Sequence, residues 1–142
     1  MQKFVAGVLL VGADAALLLQ QRDEHAPTFP EQWAFPAGVA EPGEAPLEAA
    51  HRELWEETGL RVASLGPFWE GPMPASPLYG FLFHGRTSAR QQDVVLGEGR
   101  AMVFVPAAQV LELDLAAYAR PALTEFLASA AYREHVAAIA GN

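Results

Sequence analysis

The sequence predicts an α/β fold in which a mixed β-sheet is sandwiched between helices. Several short segments rich in Val, Leu and Phe are separated by Gly and Pro, which is typical of strands joined by turns. One helical pattern lies among these segments, and further helical patterns follow them, as in an α/β/α sandwich. With 142 residues, 51% of them hydrophobic, the chain is expected to form a single domain over residues 1–142.

Two apolar strands open the chain and are predicted to form a β-hairpin. They span residues 4–11 and 15–20, and Gly12 and Asp14 between them favour a turn. Residues 21–31 contain two prolines and several charged side chains, so we expect a surface loop there. Residues 33–35 then lead into a predicted turn at residues 36–38.

Residues 45–58 are predicted to form a helix. Leu47, Ala50 and Leu54 recur at helical spacing and form an apolar stripe. Pro46 suits a first helical turn, and Gly59 suits the position just after the last one. Later strands are expected at residues 62–69, 78–84, 94–96 and 101–105, with a short helix at 107–111 and one helix from 121 to about 140.

Composition excludes several kinds of site and partner. The chain has no cysteine, which rules out thiol nucleophiles, Cys-ligated zinc and Fe–S clusters. The net charge is −8 and the nine Lys and Arg residues are scattered, which argues against binding long nucleic acid through its phosphates. No run reaches the roughly 20 apolar residues that cross a bilayer, and none resembles an export signal. We therefore expect no membrane association and a cytoplasmic localisation.

Three carboxylates share one face of the helix at residues 45–58. Glu53, Glu56 and Glu57 lie at i, i+3 and i+4, within an arc of about 100°. A solvated acidic face is the commonest meaning of such a run. However, like charges at this spacing repel one another, and acidic groups in the last turn oppose the helix dipole. A divalent cation that prefers oxygen ligands would remove both penalties, so the pattern favours a metal site.

The residues around these glutamates match a known motif. Gly38 is followed after five residues by Glu44, and after seven more by Arg52-Glu53-Leu54-Trp55-Glu56-Glu57-Thr58-Gly59-Leu60. On these residues the chain resembles the Nudix hydrolases, because every fixed position of the Nudix box is filled. Weaker similarity to the same family covers Gln20-Gln21-Arg22-Asp23, Trp33-Ala34-Phe35-Pro36, Gly97-Glu98-Gly99-Arg100 and Val103-Phe104-Val105-Pro106.

The resemblance implies the Nudix fold and a set of metal ligands. Glu53 and Glu57 would bind the metal directly, with Glu56 as a further ligand or a group behind the ligands. The backbone near Gly38 would approach the metal, where a side chain would block close contact. The implied cofactor is Mg²⁺, for which Mn²⁺ can substitute.

Other residues receive roles on the same basis or from their surroundings. Arg52, which we count among the catalytic residues with Glu53 and Glu57, would pair with Glu44. Ala37 departs from the family, where glycine is frequent, and requires a backbone φ that accepts a Cβ. Glu98 is a candidate metal ligand or general base on a glycine-flanked, mobile loop, although an ordinary turn residue fits the pattern equally well. The general base is left open between Glu53, Glu56 and Glu98.

Substrate contacts are predicted at three side chains and three loops. Arg22 is a candidate for binding a terminal phosphate, with a surface arginine as the alternative. Phe35 and Tyr79 are candidates for stacking on a base, although Tyr79, Phe81 and Phe83 alternate as core residues of a strand do. The group beyond the phosphates is expected among residues 21–31, residues 71–77 and the region of Tyr118. The exposed side of residues 121–140 could support a homodimer.

The predicted function is Mg²⁺-dependent cleavage of a phosphoanhydride bond in a nucleoside diphosphate linked to another moiety. A nucleoside triphosphate, intact or damaged, is the preferred small-molecule substrate; nucleotide sugars and dinucleoside polyphosphates stay open. One alternative is a catalytically silent Nudix-like module that senses a nucleotide, but such a module does not need the complete set of glutamates. The isomerases that share this fold rely on a cysteine, which this chain lacks.

Overall fold

The computed structural model describes residues 3–141, which form a mixed β-sheet with helices on both faces. In chain order the elements are β1 (Phe4–Val11), a 3₁₀ turn (Ala13–Ala15), β2 (Leu17–Gln21), β3 (Trp33–Ala34), β4 (Ala37–Val39), α1 (Pro46–Thr58), β5 (Gly66–Pro72), β6 (Tyr79–Arg86), a 3₁₀ turn (Gln91–Asp93), β7 (Ala101–Val105), α2 (Ala107–Val110), α3 (Arg120–Leu127) and α4 (Ala130–Ala140). The predicted fold class, an α/β/α sandwich, is confirmed.

Strand β1 is the centre of the sheet. The strand order is β3-β2-β1-β6-β5, with β4 also paired to β1 and β7 paired to β2. β1 runs parallel to β6 and antiparallel to β2 and β4, so the sheet is mixed as predicted. The hairpin of β1 and β2 is confirmed, and its turn closes where Gly12 N–H donates to the Ala16 carbonyl.

Two apolar cores lie on opposite faces of the sheet. Successive side chains of β1 alternate between them: Leu9 enters one core, and Val8 and Leu10 enter the other. The first core contains Leu123 and Phe126 of α3, whereas the second contains Leu54 of α1. Helix α1 therefore covers one face of the sheet and the C-terminal helices cover the other.

Helix α1 begins and ends where the sequence predicts. Pro46 occupies the first turn, and Gly59 adopts φ +72°, the left-handed conformation that ends the helix. The predicted apolar stripe is only partly right, because Leu47 is 42% exposed while Ala50 and Leu54 are buried. Leu47 lies in the first turn, at the margin of the face that meets the sheet.

Two predicted strands and one predicted turn are wrong in position or type. The strand expected at 62–69 is β5, Gly66–Pro72, and the turn expected at 36–38 is instead the start of β4, paired to β1. Residues 94–96 do not form a strand: Val95 N–H donates to the Thr58 carbonyl, and Gly97 N–H to that of Glu57. This segment therefore satisfies carbonyls that the end of α1 leaves without partners.

The single helix expected at 121–140 is two helices. α3 ends at Leu127, and Ser129 starts α4 by accepting a hydrogen bond from Tyr132 N–H at its side-chain oxygen. The Tyr132 hydroxyl donates to the Ala15 carbonyl at 2.7 Å, which anchors α4 to the hairpin turn. Across residues 3–141, no helix is both long and apolar enough to cross a membrane. A homodimer through this region stays a prediction.

Candidate active site

Helix α1 turns two of its glutamates inward. Glu53 is 9% exposed and Glu57 only 1% exposed, on the same buried face as Ala50 and Leu54. Glu56, by contrast, keeps 52% of its side chain exposed. A solvated acidic face therefore does not describe this helix, because buried carboxylates require a counter-charge or a proton.

Arg52 supplies part of that counter-charge. Its guanidinium binds Glu44 through two hydrogen bonds of 2.8 and 2.9 Å, which confirms the predicted ion pair between the loop and the helix. Its Nη1 also donates to Glu53 at 3.0 Å and to Glu56 at 2.9 Å. The Arg52 contacts lower the pKa of Glu44, and the Glu44 contact raises that of Arg52.

Glu57 lacks such a partner. Its Oε1 accepts a hydrogen bond of 3.3 Å from the Gln20 amide, and its buried Oε2 has no partner among the described residues. Burial raises the pKa of Glu57 to about 9, and the charges of Glu53 and Glu98 add to the shift. An unpaired buried carboxyl oxygen costs free energy unless a ligand or a proton satisfies it.

The β4 backbone approaches Glu53 closely at Gly38. A Cβ at Gly38 would lie 2.2 Å from the Glu53 carboxyl carbon, so only glycine leaves room for that carboxylate. Burial raises the pKa of Glu53; Arg52 opposes the shift, and the charges of Glu56 and Glu98 add to it. Ala37 is not among the residues with positive φ, so its Cβ is accommodated in the extended strand.

The donor set suits a divalent cation. Buried carboxylates with raised pKa values and an oxygen without a partner are stabilised when a hard cation binds them. Within residues 3–141, however, no three acidic or histidine side chains are already grouped as a metal-binding set. The Nη1 of Arg52 donates to one oxygen of Glu53 and to one oxygen of Glu56.

Backbone hydrogen bonds connect the loop that carries Glu98 to α1 and β2. Gly97 N–H donates to the Glu57 carbonyl at 3.0 Å, and Arg100 N–H donates to the Gln21 carbonyl at 2.9 Å. A Cβ on Gly97 would lie 1.9 Å from the Glu56 carbonyl oxygen, so this glycine permits close packing. Mobility of this loop stays a prediction; the Glu98 side chain is exposed, and its charge acts on Glu53 and Glu57.

A pocket of about 370 Å³ opens beside Gly38. Arg22, Thr28 and Phe29 line one side, the 73–78 segment lines another, and Tyr118 completes the wall. The three loops expected to hold the substrate are therefore brought together. Burial raises the pKa of Tyr118; Arg22 opposes the shift, and the charge of Glu57 adds to it.

A family model described as the NUDIX domain matches residues 1–126. The chain belongs to the Nudix family. This confirms the resemblance carried by the box from Gly38 to Leu60. Members of this family generally use a divalent metal ion and act on small nucleotide substrates.

Known Nudix proteins support the assignment over parts of their length. A Mesorhizobium japonicum protein named RNA pyrophosphohydrolase is 43% identical over 42% of this chain and 36% of its own length. A Xenopus laevis protein named m7GpppN-mRNA hydrolase is 41% identical over 47% of this chain and 24% of its own length. The matches thus span less than half of these relatives. The solved structure of a MutT protein from Methanosarcina mazei has a TM-score of 0.71 and 25% identity, covering 86% of this chain and 90% of that one.

The Nudix fold brings together most of the predicted site residues. Arg52, Glu53, Glu56 and Glu57 lie with Gly38 on one side of the sheet, and Glu98 is close enough for its charge to act on the buried pair. Arg22 lines the adjacent pocket, where its Nε donates to the Thr28 carbonyl at 2.9 Å.

Two predicted substrate contacts do not reach the pocket. Phe35 is 1% exposed and packs beneath Gly7 in the core, so the prediction that it stacks on a base is wrong. Tyr79 does not line the pocket; its hydroxyl donates to Glu70 at 2.9 Å, and its ring meets Phe81 edge to face. The alternative, that this aromatic strand packs in the core, fits the position of Phe81.

Sequence reasoning missed two residues of the site. Gln20 contacts Glu57 from β2, and Phe29 lines the pocket with its ring 5.3 Å from that of Tyr118. Phe29 carried a signal, because it is a large apolar residue between two prolines in a polar loop. Gln20 carried a weaker one, as a polar residue directly after three leucines of a buried strand.

Proposed function

We propose that this Nudix-family chain is a Mg²⁺-dependent pyrophosphohydrolase, with Mn²⁺ as a substitute. Its substrate is a nucleoside diphosphate linked to another moiety, with a nucleoside triphosphate as the first choice and a nucleotide sugar as the second. The observation that carries the proposal is the Glu57 carboxylate, which is buried with one oxygen unpartnered among the described residues. The other buried carboxylate of the same helix, Glu53, lies against Gly38, which lines the pocket. The names of the relatives support pyrophosphohydrolase action.

The acidic residues would hold the cofactor at the edge of the pocket. Glu53 and Glu57 supply the inner carboxylates, Glu56 supplies an outer one, and the Gly38 backbone leaves room beside Glu53. When bound, Mg²⁺ neutralises phosphate charge and lowers the pKa of a coordinated water. Arg52 keeps α1 and the Glu44 loop in register, so that the carboxylates stay aligned.

Glu98 is our choice of general base. The carboxylates of Glu53 and Glu56 both accept from Arg52, whereas the Glu98 carboxylate makes no hydrogen bond or ion pair among the described residues. It is also exposed, so a proton taken from the attacking water can pass to solvent.

The pocket beside Gly38 would bind the nucleoside portion of the substrate. Phe29 and Tyr118 present aromatic surface, on which a base can stack without strong sequence preference. Arg22 is the cation that lines this pocket, and its guanidinium suits a phosphate oxygen. A volume of about 370 Å³ suits a small ligand.

The exclusion of long nucleic acid as a partner is not confirmed, because the relatives are named for RNA and mRNA. The net charge of −8 still favours a small nucleotide, since an extended RNA contact needs a basic surface. A short RNA carrying a 5′-triphosphate therefore belongs in the substrate panel.

The decisive experiment compares native chain, Glu57→Gln and Glu48→Gln on a panel of substrates with Mg²⁺ or Mn²⁺. The panel contains nucleoside triphosphates, nucleotide sugars, dinucleoside polyphosphates and the triphosphorylated RNA. We expect metal-dependent release of phosphate or pyrophosphate that falls by about 100-fold or more in Glu57→Gln. Glu48→Gln, an exposed change on the same helix, should keep full activity.

Each outcome has a definite meaning. The panel member with the highest kcat/KM identifies the substrate class, and a preference for RNA would replace the small-nucleotide proposal. Turnover that survives in Glu57→Gln would contradict the role of the buried carboxylate. Tight metal-dependent binding of one nucleotide without turnover would make the chain a nucleotide sensor instead of an enzyme.

A further inference from the structure

Gln20 is a buried amide among leucines of β2. Leu17, Leu18 and Leu19 precede it and are each at most 1% exposed, while Gln20 itself is 5% exposed. Side chains alternate along a strand, so Gln20 shares a face with Leu18, which packs in the core beneath α1. A polar side chain in such a place costs free energy unless its hydrogen bonds are made.

The Gln20 amide joins two parts of the candidate site. Its Nε2 donates to Oε1 of Glu57 at 3.3 Å and to the backbone carbonyl of Glu98 at 3.0 Å. These acceptors are 37 and 78 residues away along the chain. One nitrogen therefore ties β2 to the innermost carboxylate of α1 and to the loop that carries the exposed carboxylate.

The bond to Glu57 leaves the other carboxyl oxygen free. Glu57 Oε2 is the buried side-chain atom without a hydrogen-bond partner among the described residues. An amide that holds Oε1 restricts rotation of the carboxylate and thereby directs Oε2. Groups that orient a metal ligand from behind in this way are worth about 10- to 100-fold in metal affinity.

The hydrogen bond from Gln20 to the Glu98 carbonyl holds the loop of residues 97–100 against the end of β2. Gly99 adopts φ +85°, and a Cβ there would lie 3.1 Å from the Gln20 amide nitrogen and 2.7 Å from the Gln21 carbonyl oxygen. Arg100 N–H donates to that same Gln21 carbonyl. The loop is thus seated on the end of β2, and Gln20 is the side chain that connects it to Glu57.

We propose that Gln20 is a positioning residue that sets the metal-binding orientation of Glu57 and the placement of Glu98 together. The effect on turnover rests on the proposed hydrolase function; the effects on metal affinity and on the loop do not. Loss of the amide should weaken the metal site and loosen residues 97–100 at the same time, although Gln20 is buried and does not line the pocket.

The test compares Gln20→Met with the neighbouring Gln21→Met. Methionine matches glutamine in length and removes the donor, and the Gln21 side chain donates elsewhere, to the Glu31 carbonyl. Mn²⁺ affinity is measured by electron paramagnetic resonance without substrate, and amide exchange of residues 97–100 is measured by mass spectrometry. We expect Mn²⁺ affinity about 10-fold weaker and faster loop exchange in Gln20→Met only.

A second variant and a kinetic measurement separate positioning from stability. Gln20→Asn keeps the amide but withdraws it by one methylene group, so it should reproduce the loss of Mn²⁺ affinity without placing a thioether beside Glu57. At saturating Mg²⁺ both variants should lower kcat while leaving KM nearly unchanged. Native Mn²⁺ affinity and loop exchange in Gln20→Met and Gln20→Asn would overturn the proposal. Weakened affinity in a chain that hydrolyses nothing would support the positioning role and reject the hydrolase.

Discussion

Replacing Gly38 with alanine should damage the site while leaving the fold nearly unchanged. The added Cβ would lie 2.2 Å from the Glu53 carboxyl carbon, whereas ordinary contacts begin at 3.4 Å. The carboxylate must therefore withdraw by about 1 Å, a displacement that can cost about 100-fold in rate. The Glu53 carboxylate ends a flexible side chain and Gly38 does not have positive φ, so the free energy of unfolding should change by less than about 1 kcal/mol.

Gly43→Ala is the matched control with the opposite outcome. Gly43 has φ +80°, and no atom lies within 4 Å of the position that a Cβ would take, so alanine there strains only the backbone. We expect it to lower the free energy of unfolding by about 1 kcal/mol and to leave turnover intact. Urea denaturation measures the first quantity, and turnover with Mn²⁺ affinity measures the second.

Two results would refute the reasoning about Gly38. If Gly38→Ala kept native Mn²⁺ affinity and turnover, close approach of the backbone to Glu53 would not be required. If it lost several kcal/mol of stability, the strain would fall on the sheet instead of the side chain, and the loss of activity would reflect unfolding.

Two further predictions concern protons. Because burial raises the pKa of Glu57 to about 9, metal binding must displace its proton, and Mn²⁺ affinity should rise by up to about tenfold per pH unit from about 6.5 to 8.5; a flat pH profile would contradict the buried acid. The second prediction concerns two histidines: His84 Nδ1 contacts His135 Nε2 at 2.6 Å, and Arg86 contacts His135 Nδ1 at 3.2 Å. Burial lowers the pKa of both histidines, and the charges of His84 and Arg86 lower that of His135 further, whereas the charge of Glu134 opposes both shifts. Below about pH 6.5 the unfolded chain then binds more protons than the folded chain, so the free energy of unfolding should decrease as the pH falls, by at most about 1.4 kcal/mol per pH unit for each histidine. Urea denaturation of the native chain and of a His84→Leu/His135→Leu variant at about pH 7.5, 6.0 and 5.0 measures this decrease. The same pH dependence of stability in both proteins would contradict the prediction.

Local patterns were sufficient to predict most of the elements. Pro46 and Gly59 act on the backbone next to them, so the ends of α1 followed from the sequence. The hairpin followed in the same way from Gly12 and the apolar runs on both sides of it. The structure of residues 94–96 could not be predicted in this way. A short apolar segment can pair with a strand or donate hydrogen bonds to the free carbonyls at the end of a helix, and only tertiary contacts decide which of these it does.

By itself, the sequence determined the family and the candidate metal ligands, because the Nudix box is a set of residue types at fixed spacing from Gly38 to Leu60. Tertiary structure alone decided which of those carboxylates is buried without a partner among the described residues, as Glu57 is. It also removed Phe35 from the pocket and brought Phe29 into it, and it placed Gln20 against Glu57. The physical reason is that burial and hydrogen bonding depend on residues distant in the chain, such as 20, 57 and 98, which no local spacing relates.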